Sequence, residues 1–96
     1  MRRAARIDAN HRAIVDLLRS CGARVLSLAP MGQGVPDLLV NVEGKLALIE
    51  VKDGSRPPSK RRLTPDEEAF AQDWPVIVVK NDTEALQVLD TLRGIR

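Results

Sequence analysis

Three residues carry the chemistry that this chain's composition permits: Asp37, then Glu50 and Lys52, in the spacing Asp-x12-Glu-x-Lys. Side chains alternate along an extended strand, so Glu50 and Lys52 point one way while Ile49 and Val51 point the other. Pairing residues 35–42 with that strand brings Asp37 beside Glu50. Two carboxylates offer hard oxygens to Mg²⁺ or Mn²⁺. A metal held there acidifies a water and neutralises charge on a phosphate under attack, and a nearby ammonium stabilises the crowded, anionic phosphorus. The chemistry this set suits is phosphodiester hydrolysis. The simpler reading is a strand that starts after a Pro turn, with Glu50 and Lys52 in a cross-strand salt bridge.

The elements that must position these residues are legible from periodicity. Ile14, Leu17, Leu18 and Cys21 recur at i, i+3, i+4 and i+7, which predicts an amphipathic helix from Asp8 as N-cap to about Cys21, ended by Gly22. Residues 23–28 read as a strand and residues 30–34 as a turn. Residues 35–42 and 45–52 read as two strands of a hairpin joined through Gly44, the second apolar on both faces until Glu50 and therefore expected to be covered on both sides. Residues 53–63 are rich in Gly, Ser, Pro and basic residues and predict an exposed loop. Thr64-Pro65-Asp66-Glu67 is a helix start with a capping box. Phe70 and Trp74 follow at helical spacing as core residues, and Pro75 ends the helix. Val76–Val79 reads as a buried strand, and residues 81–84 open a last helix with Leu86, Leu89 and Leu92 inward, closed by Gly94. The expected order is α-β-β-β-α-β-α: an α/β fold with a mixed sheet flanked by helices, in a single domain spanning 1–96.

Composition narrows the function classes. A chain of 96 residues with a net charge of +2 has eleven Arg against four Lys, and the planar Arg fork suits phosphate. Arg2, Arg3 and Arg6 crowd the N-terminus, and Arg56, Lys60, Arg61 and Arg62 crowd the loop that follows the candidate site. That second cluster is the expected DNA-binding element, against a plain solvated loop. Phe70 and Trp74 are the only aromatic residues, so the stacking surfaces of single-strand binders are largely absent. The lone Cys21 cannot form an internal disulfide and points to a reducing compartment. No apolar run is long enough to span a membrane. The expectation is a cytoplasmic protein, in the host cytoplasm if phage-encoded.

Pro36-Asp37 followed by Glu50-Val51-Lys52 resembles the PD-(D/E)xK nuclease signature. The longer text, Gly34 to Val40, Ile49 to Lys52, then Leu63 to Asp66 with Phe70 on the next helix, is similar to the stand-alone VRR-NUC domains of phages. The resemblance runs over nearly the whole chain. It implies a restriction-endonuclease-like core, Asp37, Glu50 and the Val51 backbone carbonyl as ligands of Mg or Mn, and Lys52 as the catalytic lysine. It further implies a homodimer that cuts branched DNA such as four-way junctions, without a nucleotide cofactor. The chain has Glu67 where family members often carry Gln, with Gln72 further on. Asn10 or Asp16 stands where some relatives have a glutamate on the first helix.

Several residues carry two readings. Glu67 is a helix cap that also shares Phe70's inward face and so is a further candidate for the site. His11 is a packing residue or a base. Cys21 continues an apolar stripe and reads as core. The competing class for the whole protein is a non-catalytic DNA-binding subunit that keeps the nuclease fold; a weaker one is a protein-interaction module with a salt-bridged hairpin.

Overall fold

The computed structural model describes residues 8–94. Its elements are α1 (His11–Ser20), β1 (Arg24–Ser27), β2 (Leu38–Val42), β3 (Lys45–Val51), α2 (Pro65–Asp73), β4 (Val76–Val79) and α3 (Asp82–Arg93), with short 3-10 turns at Ala29–Met31 and Pro58–Lys60. The order is the expected one. The strands form one mixed sheet in the order β1-β2-β3-β4, antiparallel except for the parallel β3–β4 pair. That parallel pair requires a crossover, and α2 supplies it. The β2–β3 hairpin turns on Glu43 and Gly44, both at positive φ (53° and 87°), the two-residue geometry whose twist matches that of the strands. Asn41 Oδ1 accepts from Gly44 N–H at 2.8 Å and fastens the turn.

The two faces of the sheet differ. On the first face, Val40, Leu38 and Val42 of β2, Ala47, Ile49 and Val51 of β3, and Val79 of β4 meet Ile14, Val15 and Leu18 of α1 and Ala85, Val88 and Leu89 of α3. Each fully buried Leu or Ile there contributes about 1.5–3 kcal/mol relative to exposure. On the second face the register lines up three rows across the strands. One row runs Leu46, Asn41, Arg24 and the next Val76, Leu48, Leu39, Leu26. The third holds Val78 and Glu50, with Asp37 one residue ahead of the Leu38–Ile49 pair and so opposite Glu50. Over this face stands α2, whose inward stripe is Glu67, Phe70, Ala71 and Trp74; the first three are half-buried.

Several expectations change. The first helix begins at His11 with Asn10 as its N-cap, not at Asp8. The second face is covered only in part: Leu46 stays 60% exposed and Leu26 58%, because one nine-residue helix cannot span four strands. For the same reason Trp74, expected in the core, is 54% exposed although it stacks on Phe70 at 5.6 Å. As a sheet edge, β4 buries only Val79 and leaves Ile77 exposed. The inward stripe of α3 is Ala85, Val88 and Leu89, with Leu86 outside, since these residues rather than Leu86 face α1 and the sheet. Cys21 is partly buried against the core. Among the described residues no helix is long and apolar enough to cross a membrane. The basic cluster Arg2, Arg3 and Arg6 lies outside the described residues.

Candidate active site

The carboxylates sit where the apolar pattern of β3 ends. Asp37 precedes β2, and its Oδ2 accepts from the Val51 backbone N–H at 2.8 Å. That bond holds the carboxylate against the end of β3 and beside the Val51 backbone, the same residue whose carbonyl is a candidate ligand. Asp37 lies opposite Glu50 in the strand register, and Lys52 Nζ reaches both Glu50 and Glu67. Three carboxyl groups, from the turn before β2, from β3 and from α2, thus gather at one end of the sheet.

Lys52 supplies the cation. Its Nζ lies 2.9 Å from Glu67 Oε1 and 3.7 Å from Glu50 Oε2. Glu67 Oε1 also accepts from Thr64 N–H at 2.8 Å, while Thr64 Oγ1 accepts from Glu67 N–H, so the capping box expected from the sequence forms in full. Glu67 is both cap and site residue; its two readings are compatible because one oxygen serves both donors.

Burial sets the electrostatics. Glu50 is 4% exposed. Its carboxyl is pushed up to about 9, first by burial and then by the neighbouring charges of Asp37 and Glu67. Burial also raises Asp37, against the Val51 hydrogen bond that lowers it. Lys52 goes up in spite of burial, because Glu67 and Glu50 favour its charged form. Burial works against the Glu67 anion too, but Lys52 and the Thr64 N–H hold its carboxyl below the usual value. Lys52 is held more closely by Glu67 than by Glu50, so one ammonium faces three carboxyl groups.

The frame around this cluster is tight. Asn10 Nδ2 donates to the backbone carbonyls of Lys52 and Lys80, both at 3.1 Å, which ties the start of α1 to the ends of the two parallel strands. His11 is buried, carries an unpartnered Nδ1, and acts electrostatically on Asp37. Gly34 packs onto the start of α2: a Cβ there would lie 2.3 Å from the Asp66 carbonyl oxygen. A cleft of about 500 Å³ opens beside Asn10 between residues 53–55 and 80–83, and none of Asp37, Glu50 and Lys52 lines it.

No family model, curated protein or solved structure matches the chain.

Geometry thus brings together Asp37, Glu50, Lys52 and Glu67, with Val51 lending its backbone. It leaves out Asp16, which is exposed and paired with Arg12 at 3.6 Å, and Gln72, which is exposed on α2. Arg56, Lys60 and Arg62 are exposed and Arg61 is half-buried on the loop after β3. Asn10 occupies the N-cap position of α1, but its side chain makes no cap hydrogen bond and holds the frame instead. A lone Asn at a helix start reads as a cap, and nothing in the local sequence reports that two strand ends lie within its reach. Among the described residues no group of three or more His, Cys, Asp or Glu side chains is arranged to hold a metal; the candidate set is two carboxylates and a backbone carbonyl.

Proposed function

We propose that the protein is a metal-dependent endonuclease of the PD-(D/E)xK kind, with a restriction-endonuclease-like core, acting on DNA. One observation carries the reading: Asp37 and Glu50 lie opposite one another at a strand end, with Lys52 3.7 Å from Glu50. Two adjacent carboxylates, Glu50 buried and Asp37 half-buried, do not both ionise without compensating charge, and Lys52 is closer to Glu67 than to Glu50. Mg²⁺ or Mn²⁺ suits that deficit, held by Asp37, Glu50 and the Val51 carbonyl. When bound, it supplies Lewis acidity toward a phosphate oxygen and a more acidic water. Lys52 places its ammonium beside the reacting phosphate, where its charge offsets the charge that develops in the transition state. Glu67 holds that ammonium in place, and the Val51 N–H holds Asp37. The four cations of the loop from Arg56 to Arg62 serve the DNA backbone. The resemblance to VRR-NUC domains supports branched DNA, such as a four-way junction, as the preferred substrate and a homodimer as the working unit.

The test incubates purified protein with a four-way junction, a linear duplex and a single strand, with and without Mn²⁺. Cleavage of the junction that requires the metal is expected. Asp37→Asn should keep the fold, because its amide oxygen still accepts from Val51 N–H, yet lose cleavage while retaining DNA binding. Tight, metal-independent binding of DNA without cleavage by the wild type would move the protein to the non-catalytic scaffold class.

A further inference from the structure

The candidate site is enclosed, and its cover is lightly fastened. Glu50 is 4% exposed and Lys52 9%, and both point to the second face, where α2 is the covering element. A phosphodiester has to touch the Lys52 ammonium to be stabilised by it, and a nucleic-acid strand cannot reach an ammonium so enclosed. Yet α2 buries none of its nine residues, whereas α1 buries His11, Ile14, Val15 and Leu18 and α3 buries Ala85, Val88 and Leu89. Only Glu67, Phe70 and Ala71 of α2 are half-buried. Among the described residues one ion pair joins α2 to the end of β3, Glu67 Oε1 to Lys52 Nζ at 2.9 Å. The two ends of α2 are also tethered differently. Its C-terminal end passes through Trp74 and Pro75 straight into β4, which is paired with β3. Its N-terminal end follows the long segment 52–64, which contains no strand and only the short turn Pro58–Lys60. The end over the carboxylates is thus the end free to move, and the short connection at Pro75 is the pivot.

We infer that α2 is a lid, closed in this structure, and that the Glu67–Lys52 ion pair is its latch. Opening exchanges one anion for another: a phosphodiester oxygen of the incoming strand replaces Glu67 Oε1 at Lys52 Nζ, so the ammonium is never left without a partner. Glu67 holds Lys52 until that exchange. Once released, its Oε1 keeps the bond from Thr64 N–H, and the capping box travels with the first turn, so the helix lifts intact. Gly34 gives the closed lid its seat, since the lack of a side chain lets the Asp66 backbone lie against it. A segment that buries few apolar groups opens at a small fraction of the cost of global unfolding, and such lids gate access to many enzyme sites. That the incoming anion belongs to DNA rests on the nuclease reading; the lid itself does not.

Native-state hydrogen exchange on the full chain, without metal or DNA, tests it. The backbone amides of α2 should exchange roughly 100-fold faster than those of α1, a helix of similar length, while the core strands stay protected. Glu67→Gln keeps the capping oxygen and removes the charge of the latch. It should speed exchange in α2 by roughly a further fivefold and leave α1 unchanged. Adding a four-way junction in EDTA should also speed exchange in α2, because the bound strand holds the lid open. Protection of α2 equal to that of α1 overturns the proposal. So does a Glu67→Gln variant whose α2 exchanges like that of the wild type, or an α2 that becomes more protected when DNA binds. A wild type with a loose, latch-dependent α2 that binds no DNA upholds the lid and counts against the nuclease reading alone.

Discussion

Lys52 Nζ is held at 2.9 Å by Glu67 Oε1, the same oxygen that accepts from the Thr64 backbone N–H. The first turn of α2 and the ammonium at the end of β3 are consequently set by one atom. Wherever α2 starts, the lysine is oriented with it, which couples the fold of a surface helix to the geometry of the candidate site.

That coupling separates two substitutions. Glu67→Gln keeps an oxygen for the cap and should cost about 1 kcal/mol or less, whereas Glu67→Ala removes the cap acceptor and strips the partner from a mostly buried lysine. About 3 kcal/mol is expected for the alanine variant. Urea denaturation of the two variants measures the gap; equal losses would show that the shared oxygen has no structural role.

Glu50 predicts an unusual pH dependence in the metal-free protein. Its carboxyl has an ordinary value of 4.5 and is raised to about 9 in the folded chain. The folded state therefore holds this proton more tightly than the unfolded state does. The stabilisation is complete below about 4.5 and is lost as pH rises toward about 9. Asp37, also raised, acts in the same sense. Thermal melts in EDTA should thus fall between about pH 6 and about pH 8.5, Glu50→Gln should flatten the fall, and Mn²⁺ should restore stability at the alkaline end. A wild-type melting temperature that climbs over this range would contradict the assignment of Glu50 as a buried, strained acid.

Gly34 is required at two levels. Its φ of 81° disfavours any side chain, and a Cβ would press on the Asp66 backbone. Gly34→Ala should destabilise the protein by about 2–3 kcal/mol. It should also push the start of α2 away from β3, lowering turnover more than DNA affinity. A variant with wild-type stability would mean that the 32–36 turn is free to shift away from α2.

The loop from Arg56 to Arg62 should contribute affinity and not chemistry. Replacing Lys60, Arg61 and Arg62 together with Ala should flatten the log–log salt dependence of DNA binding by about one unit for each phosphate that is no longer neutralised. Turnover at saturating DNA should change little. An unaltered slope would reduce the loop to a solvated turn and move the DNA surface elsewhere on the chain.

Local chemistry decides the elements of this protein, and its sequence is therefore explicit about them. Thr64, Pro65 and Glu67 specify a helix start with their own hydrogen bonds, Gly44 permits the hairpin turn, and Gly94 ends α3 in the left-handed conformation. Period-two alternation along the strand likewise assigns Glu50 and Lys52 to one face. What no local pattern contains is which neighbour each face receives. The depth at which Glu50 sits depends on α2 and on the turn bearing Gly34, and that depth is what moves its carboxyl. The reach of Asn10 to the Lys52 and Lys80 carbonyls joins residues 42 and 70 positions apart. Trp74 and Leu46 look like core in sequence because their types and spacing are those of core residues. They remain exposed because a single short helix covers half of a four-stranded face, and only the packing of elements determines where that cover ends.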